Sequence, residues 1–154
     1  MGIECNIRAA QDDDAEAVSR VILSALWETN AKDYSPEIIA RVEKSFSPAA
    51  VQKLIGIRKV FVAILGQEIV GTASLEGATV RSMFVAPDAQ GRGIGKQLMA
   101  EVEKAARDTG IATLMVPSSV TAEQFYARLG FEAVRDSYHG DERTIIMQRH
   151  LAPA

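Results

Sequence analysis

Val85-Ala86-Pro87-Asp88-Ala89-Gln90-Gly91-Arg92-Gly93-Ile94-Gly95-Lys96 joins an apolar run to an amphipathic one, and its reading decides the fold. Three glycines at alternate positions let the main chain curl so that successive N–H groups point inward. The segment beyond them carries Ile94, Leu98, Val102, Ala105 and Ala106 at helical spacing and stops near Gly110, so its start adds the positive end of a helix. Arg92 and Lys96 lie nearby. Such a turn can hold a pyrophosphate. Two commoner phosphate loops do not fit. A P-loop needs GxxxxGK followed by Ser or Thr, but Gln90 occupies the first glycine position and Gln97 follows the lysine. The dinucleotide fingerprint GxGxxG would put its third glycine at Lys96 in one register and at Leu98 in the other.

Upstream of this loop, Lys59 to Leu65 is rich in β-branched and aromatic residues. Gly66-Gln67-Glu68 turns it into Ile69 to Leu75, and Glu76-Gly77 turns the chain again into Thr79 to Val85, an antiparallel meander. Before the meander come a short strand, Asn6 to Ala9, and a helix with Val18, Val21, Ile22, Ala25 and Leu26 on one face. Asp12-Asp13-Asp14 at its start reads as cap and dipole partners, because no further ligands for a metal stand beside them. Ser35-Pro36-Glu37 and Ser47-Pro48 each open a short helix, and Gly56 closes the second. Downstream, Thr113 to Val116 reads as a strand. Thr121 with Gln124 offers a capping box to a helix carrying Phe125, Tyr126 and Leu129, which Gly130 stops. Strands at about Glu132 to Ser137 and Arg143 to Arg149 end the chain. The expected fold is α+β, one domain over residues 1–154, with a mixed, mostly antiparallel sheet of about seven strands and helices on both faces.

Composition narrows the function. The 154 residues are 47% hydrophobic and 24% charged, which suits one compact domain. No apolar run approaches the roughly 20 residues that cross a bilayer, so no membrane partner is expected. Met1-Gly2-Ile3-Glu4-Cys5 lacks the regions of a signal peptide, and Asn6 stands where a myristoylation motif wants Ser or Thr. The one cysteine, Cys5, fits a reducing compartment, the cytoplasm. Net charge is −3 and the 17 Lys and Arg are scattered, so no stripe exists to bind nucleic acid. No His, Cys and carboxylate cluster has metal-ligand spacing.

The segment Gln90-Gly91-Arg92-Gly93-Ile94-Gly95 resembles the Q/R-x-x-G-x-G/A acetyl-CoA signature of the GNAT superfamily of N-acetyltransferases. Its context does too: Phe84-Val85-Ala86-Pro87 precedes it as a strand ending in Val-x-Pro, and Phe125-Tyr126-Ala127-Arg128-Leu129-Gly130-Phe131 matches the family's later FYxxLGF. The resemblance covers essentially the whole chain and implies acetyl-CoA as cosubstrate, with no metal. It implies that main-chain groups of Met83, Phe84 and Val85 meet the pantetheine arm and that the amides of Gly91, Arg92, Gly93, Ile94, Gly95 and Lys96 receive the pyrophosphate. It makes Tyr126 the general acid, since a departing thiolate needs a proton or a hydrogen bond as it forms.

Two positions depart from the family pattern. Ser119 stands where many members carry an asparagine that bonds the pantetheine. Thr79 stands where the central strand often begins with a glutamate that relays the amine proton; Glu76 is the nearest substitute. A lysine-like amine is only about one part in a thousand neutral near pH 7.4, whereas an α-amine near pKa 8 is already substantially neutral. The acceptor, a small-molecule or peptide amine, is expected between the early helices and the final hairpin. Trp27, Asp33 and Tyr34 suit a cation there, and His139, in an expected loop Tyr138 to Glu142, lies within reach. A homodimer is one assembly the resemblance allows. A different reading keeps the cofactor site without the chemistry, as a non-catalytic acyl-CoA-binding sensor.

Overall fold

The computed structural model describes residues 5–151. Met1 to Glu4, on which the leader and lipidation readings fall, and residues 152–154 lie outside the described part, so the 1–154 domain is seen over residues 5–151 only.

Seven strands form one sheet: β1 (Asn6–Ala9), β2 (Lys59–Leu65), β3 (Glu68–Glu76), β4 (Thr79–Val85), β5 (Thr113–Ser119), β6 (Glu132–His139) and β7 (Glu142–His150). Their spatial order is β1-β2-β3-β4-β5-β7-β6, with every pairing antiparallel except the parallel contact of β4 with β5. The expected α+β architecture is what the chain adopts. Alternation along β2 explains the layers: Phe61, Ala63 and Leu65 pack into one core, while Val62 and Ile64 pack into another on the opposite face. Helix α4 (Ile94–Asp108) covers the first face with Leu98, Met99, Val102 and Ala106. Helices α1 (Ala15–Glu28), α2 (Pro36–Glu43) and α3 (Pro48–Ile57) cover the second, through Val18, Ile22, Leu26, Ile39 and Val51.

The helix ends follow local chemistry, with two corrections. Ser35 and Ser47 cap α2 and α3 by accepting from the N–H groups of Ile38 and Ala50, ahead of Pro36 and Pro48 at the first position. Gly110 and Gly130, at φ 79° and 93°, close α4 and α5 (Glu123–Arg128). In each the N–H five residues on returns to the helix (Ile111 to Ala106, Phe131 to Tyr126), the Schellman arrangement. Gly56, however, does not close α3: the helix runs through it to Ile57, and the Arg58 N–H still bonds Leu54. The Thr121–Gln124 capping box does not form either. Ser119 Oγ accepts from the Ala122 N–H at 3.1 Å, and the Thr121 hydroxyl turns to Asp33 at 2.8 Å, so tertiary partners outcompete the local motif.

Asp14 does more than cap. It accepts two bonds from Arg8, at 2.7 and 3.0 Å, and one from the Gln11 N–H, which ties the end of β1 to the start of α1. The Arg8 hydrogen bond holds its carboxyl below the usual range, against the opposing effect of burial.

What positions the site is a defect in β4. Between Thr72 and Ser74 of β3, which pair with Phe84 and Arg81, β4 carries one residue too many. The surplus falls at Ser82, at φ 51°. Ser74 Oγ donates to the Arg81 carbonyl at 2.8 Å and Arg58 Nη1 donates to Ser82 Oγ at 3.2 Å, so the bulge is held from both sides. Past it, β4 and β5 part: their pairing is confined to Thr79 with Met115, beside the Met115 N–H bond to Ala78.

Candidate active site

The parted strands open a cavity of about 470 Å³ that runs from Val80 and Val116 to the glycine loop. Val85 shows how β4 faces it. The Ala86 N–H bonds Val70 of β3 at 2.8 Å, so by strand alternation the N–H of Val85 aims the other way, into the gap. The Val85 carbonyl accepts from Gln90 Nε2 at 3.1 Å, and the same amide reaches Thr29 Oγ1 at 3.2 Å. The Gln90 side chain therefore braces the loop against α1 instead of facing outward to an anion.

The loop has the geometry its glycines imply. Gly91 and Gly93 sit at φ 77° and 79°, in the left-handed region, and Gly93 precedes the first turn of α4. In that turn the amides of Ile94, Gly95 and Lys96 have no intrahelical acceptor and open on the cavity. Arg92 and Lys96 are exposed beside it, and Arg128 lines it. A β-carbon at Gly95 would lie 3.0 Å from the Phe125 ring, so glycine here also lets α4 approach α5. A channel with strand N–H groups along one side and a positive helix end at the other fits a pantetheine pyrophosphate.

Tyr126 lines the same cavity with only 3% of its surface exposed, between Phe125 and Phe131, whose rings stand edge-on to it at 5.2 and 5.6 Å. Its hydroxyl has no hydrogen-bond partner among the described residues, and burial pushes the phenol well above its usual range. It is a neutral donor without an acceptor. Ser119 also lines the cavity, its hydroxyl engaged by Ala122.

A second cavity, about 300 Å³, meets the first at Asn30, Ser82, Phe84, Pro117 and Ser119. Leu26, Ile38, Ile39, Val42 and Phe46 form its apolar wall; Arg58, Arg81 and Glu142 supply its charges. The Tyr34 hydroxyl accepts from the Val120 N–H at 2.7 Å and donates to the Arg143 carbonyl at 2.8 Å, which ties the early chain to β5 and β7 at this cavity's edge. Arg41 of α2 reaches the His139 carbonyl and Glu142 Oε1, at 3.2 and 3.0 Å.

Other expected site residues lie elsewhere. Glu76 lines neither cavity; it sits 3.4 Å from Arg58 Nε and 3.5 Å from Arg81 Nε. Trp27 is exposed, its indole N–H bonded to Glu43. Asp33 accepts from Thr121 at the rim. His139 belongs to β6 and is exposed, because the expected loop shrinks to a turn at Gly140 and Asp141. Sequence reasoning missed Arg58, Arg81 and Ser82. An arginine within a strand of the meander was the available signal for Arg81; nothing local marks the bulge. Among the described residues no group of three or more His, Cys, Asp or Glu is placed to hold a metal, and no helix is long and apolar enough to cross a membrane.

Residues 30–147 match the family described as Acetyltransferase (GNAT) domain. Among curated relatives, the Salmonella typhimurium peptidyl-lysine N-acetyltransferase YjaB is 27% identical over 128 residues, 82% of this chain and 83% of its own length. Among solved structures, a GCN5-related N-acetyltransferase from Rhodopseudomonas palustris superposes with a TM-score of 0.92 at 25% identity, over 98% of both chains. PaiA N-acetyltransferase from Thermoplasma acidophilum, determined with coenzyme A, superposes with a TM-score of 0.83 at 20% identity, over 97% of this chain and all of that one.

Proposed function

The chain belongs to the GNAT family of acetyl-CoA-dependent acyltransferases, and from that premise we propose that it moves the acetyl group to a primary amine by direct attack in a ternary complex. The observation that carries this reading is Tyr126: a buried phenol without a hydrogen-bond partner among the described residues, lining the cavity between the parted strands.

In this reading the main chain at Met83, Phe84 and Val85 takes the pantetheine as an added strand, with Ser119 opposite. The amides from Gly91 to Lys96 take the pyrophosphate, and Gln90 braces the loop. Coenzyme A in the PaiA structure and the chain's own glycine loop support acetyl-CoA as the cosubstrate. The Val85 N–H polarises the thioester carbonyl as the amine attacks. Tyr126 then donates to the sulfur as the C–S bond breaks. With its acidity suppressed by burial, the phenol remains protonated throughout the neutral range.

Proton removal from the amine falls to water. Glu76 lines neither cavity and is engaged by Arg58 and Arg81, which disfavours it as the base. The amine reaches the thioester through the second cavity, so Tyr34 shapes the entrance, while Trp27, Asp33 and His139 act at most from the rim. The sensor alternative has less support: a second cavity that meets the one lined by Tyr126 is what an acceptor needs and a sensor does not. The lone, part-buried Cys5 is in keeping with a cytoplasmic address.

The test is Tyr126→Phe, followed by release of the coenzyme A thiol in the presence of amine and by calorimetric binding of acetyl-CoA. Turnover should fall by about 10²-fold or more with cofactor affinity nearly unchanged. Unchanged turnover would remove Tyr126 from the mechanism.

A further inference from the structure

The charges around the second cavity do not balance. Glu142 is committed to Arg41 at 3.0 Å. Glu76 serves two arginines at once, 3.4 Å from Arg58 and 3.5 Å from Arg81, which leaves one positive charge over on this wall. Neither contact is a good hydrogen bond. Arg58 Nε is buried and has no hydrogen-bond partner among the described residues, although the Glu76 carboxylate stands within ion-pair distance of it. The Arg58 side chain is only 15% exposed, and its one hydrogen bond runs from Nη1 to Ser82 Oγ at the bulge, where the two cavities meet. A largely buried guanidinium whose Nε lacks an acceptor, next to a second guanidinium that shares the same Glu76 carboxylate, favours a further carboxylate on this wall, above all one that accepts paired N–H bonds. The rest of the wall, Ile38, Ile39, Phe46 and Phe84, is apolar.

We propose that the acceptor is a small amine bearing a carboxylate, an amino acid with an apolar side chain. Its carboxylate binds the guanidiniums of Arg58 and Arg81 from the cavity side, as a second acceptor beside Glu76, and its apolar part lies against Phe46 and Phe84. This deepens the acetyl-transfer reading and rests on it for the identity of the pocket. A protein lysine fits less well: its cation would need a carboxylate here, and Glu76 and Glu142 are both engaged by arginines.

Calorimetric titration of the protein saturated with coenzyme A tests this directly. The probes are N-acetyl-phenylalanine, N-acetyl-leucine and N-acetyl-methionine, each beside its methyl ester, on the wild type and on Arg81→Gln. Arg81 is 43% exposed, so its loss leaves the core intact. The proposal expects at least one acid to bind about tenfold tighter than its ester. That preference should shrink at least several-fold in Arg81→Gln, with coenzyme A affinity unchanged. Equal binding of acid and ester in all three pairs, or an acid preference that survives Arg81→Gln, overturns it. The two readings separate cleanly. Acid-selective binding with no thiol release from acetyl-CoA and the parent amino acids would keep the carboxylate site and reject acetyl transfer. Transfer to the esters or to peptidyl lysine without acid selectivity would keep acetyl transfer and reject the carboxylate site.

Discussion

Gly93 enters α4 in the left-handed region, at φ 79°, and the direction of the next amides depends on that turn. A β-carbon there costs about 1–2 kcal/mol, so Gly93→Ala should weaken acetyl-CoA binding roughly tenfold by titration, most of it through repointed loop amides. Tyr126 gives a prediction of opposite character. Its phenol is the acid in its protonated form, present below its pKa, and burial raises that pKa. The rate should therefore show no descending limb below about pH 10, the ordinary tyrosine value; a fall between neutrality and that point would place the acid elsewhere. The loop glycines and Tyr126 were legible in the sequence because each lies inside a contiguous motif. Arg58, Arg81 and Ser82 were not, since a bulge is a relation between two strands and one strand's pattern does not contain it.

At the scale of elements, the joint between β1 and α1 depends on Arg8 and Asp14. Asp14→Asn removes a charge-assisted pair that is part exposed on the Arg8 side, 37% against 11%, so screening trims its worth to about 1 kcal/mol at neutral pH. The sign follows from the depressed carboxyl: the stabilisation is complete above the ordinary aspartate value near 3.9 and disappears as pH falls through the lower folded value. Denaturant unfolding of wild type and variant should differ at pH 7, and the difference should begin to close only below about pH 4. The helices and most strand bounds were readable from apolar period and cap residues. The capping box at Thr121 was not reliable, because Asp33, 88 residues away, claims its hydroxyl.

The whole molecule works by what its sheet leaves unpaired. Seven strands with helices on both faces were foreseeable from the β-branched and aromatic runs and the stripe of α4, yet the opening between β4 and β5 was not, because it arises where a parallel neighbour is lost after Thr79. Occupying that opening bridges the two halves of the sheet. At about a hundred times its Kd a ligand adds roughly 2.7 kcal/mol, so acetyl-CoA should raise Tm by about 5–10 °C for a domain of this size. A thermal melt with and without the ligand measures it.

The most direct test of acetyl transfer is a mass measurement on amines incubated with the protein and acetyl-CoA, with the released thiol counted in the same tube. The account predicts that at least one amine gains a single acetyl group, one thiol per acetyl, at a rate proportional to protein. Acetyl-CoA that binds and remains intact beside every amine offered would contradict it.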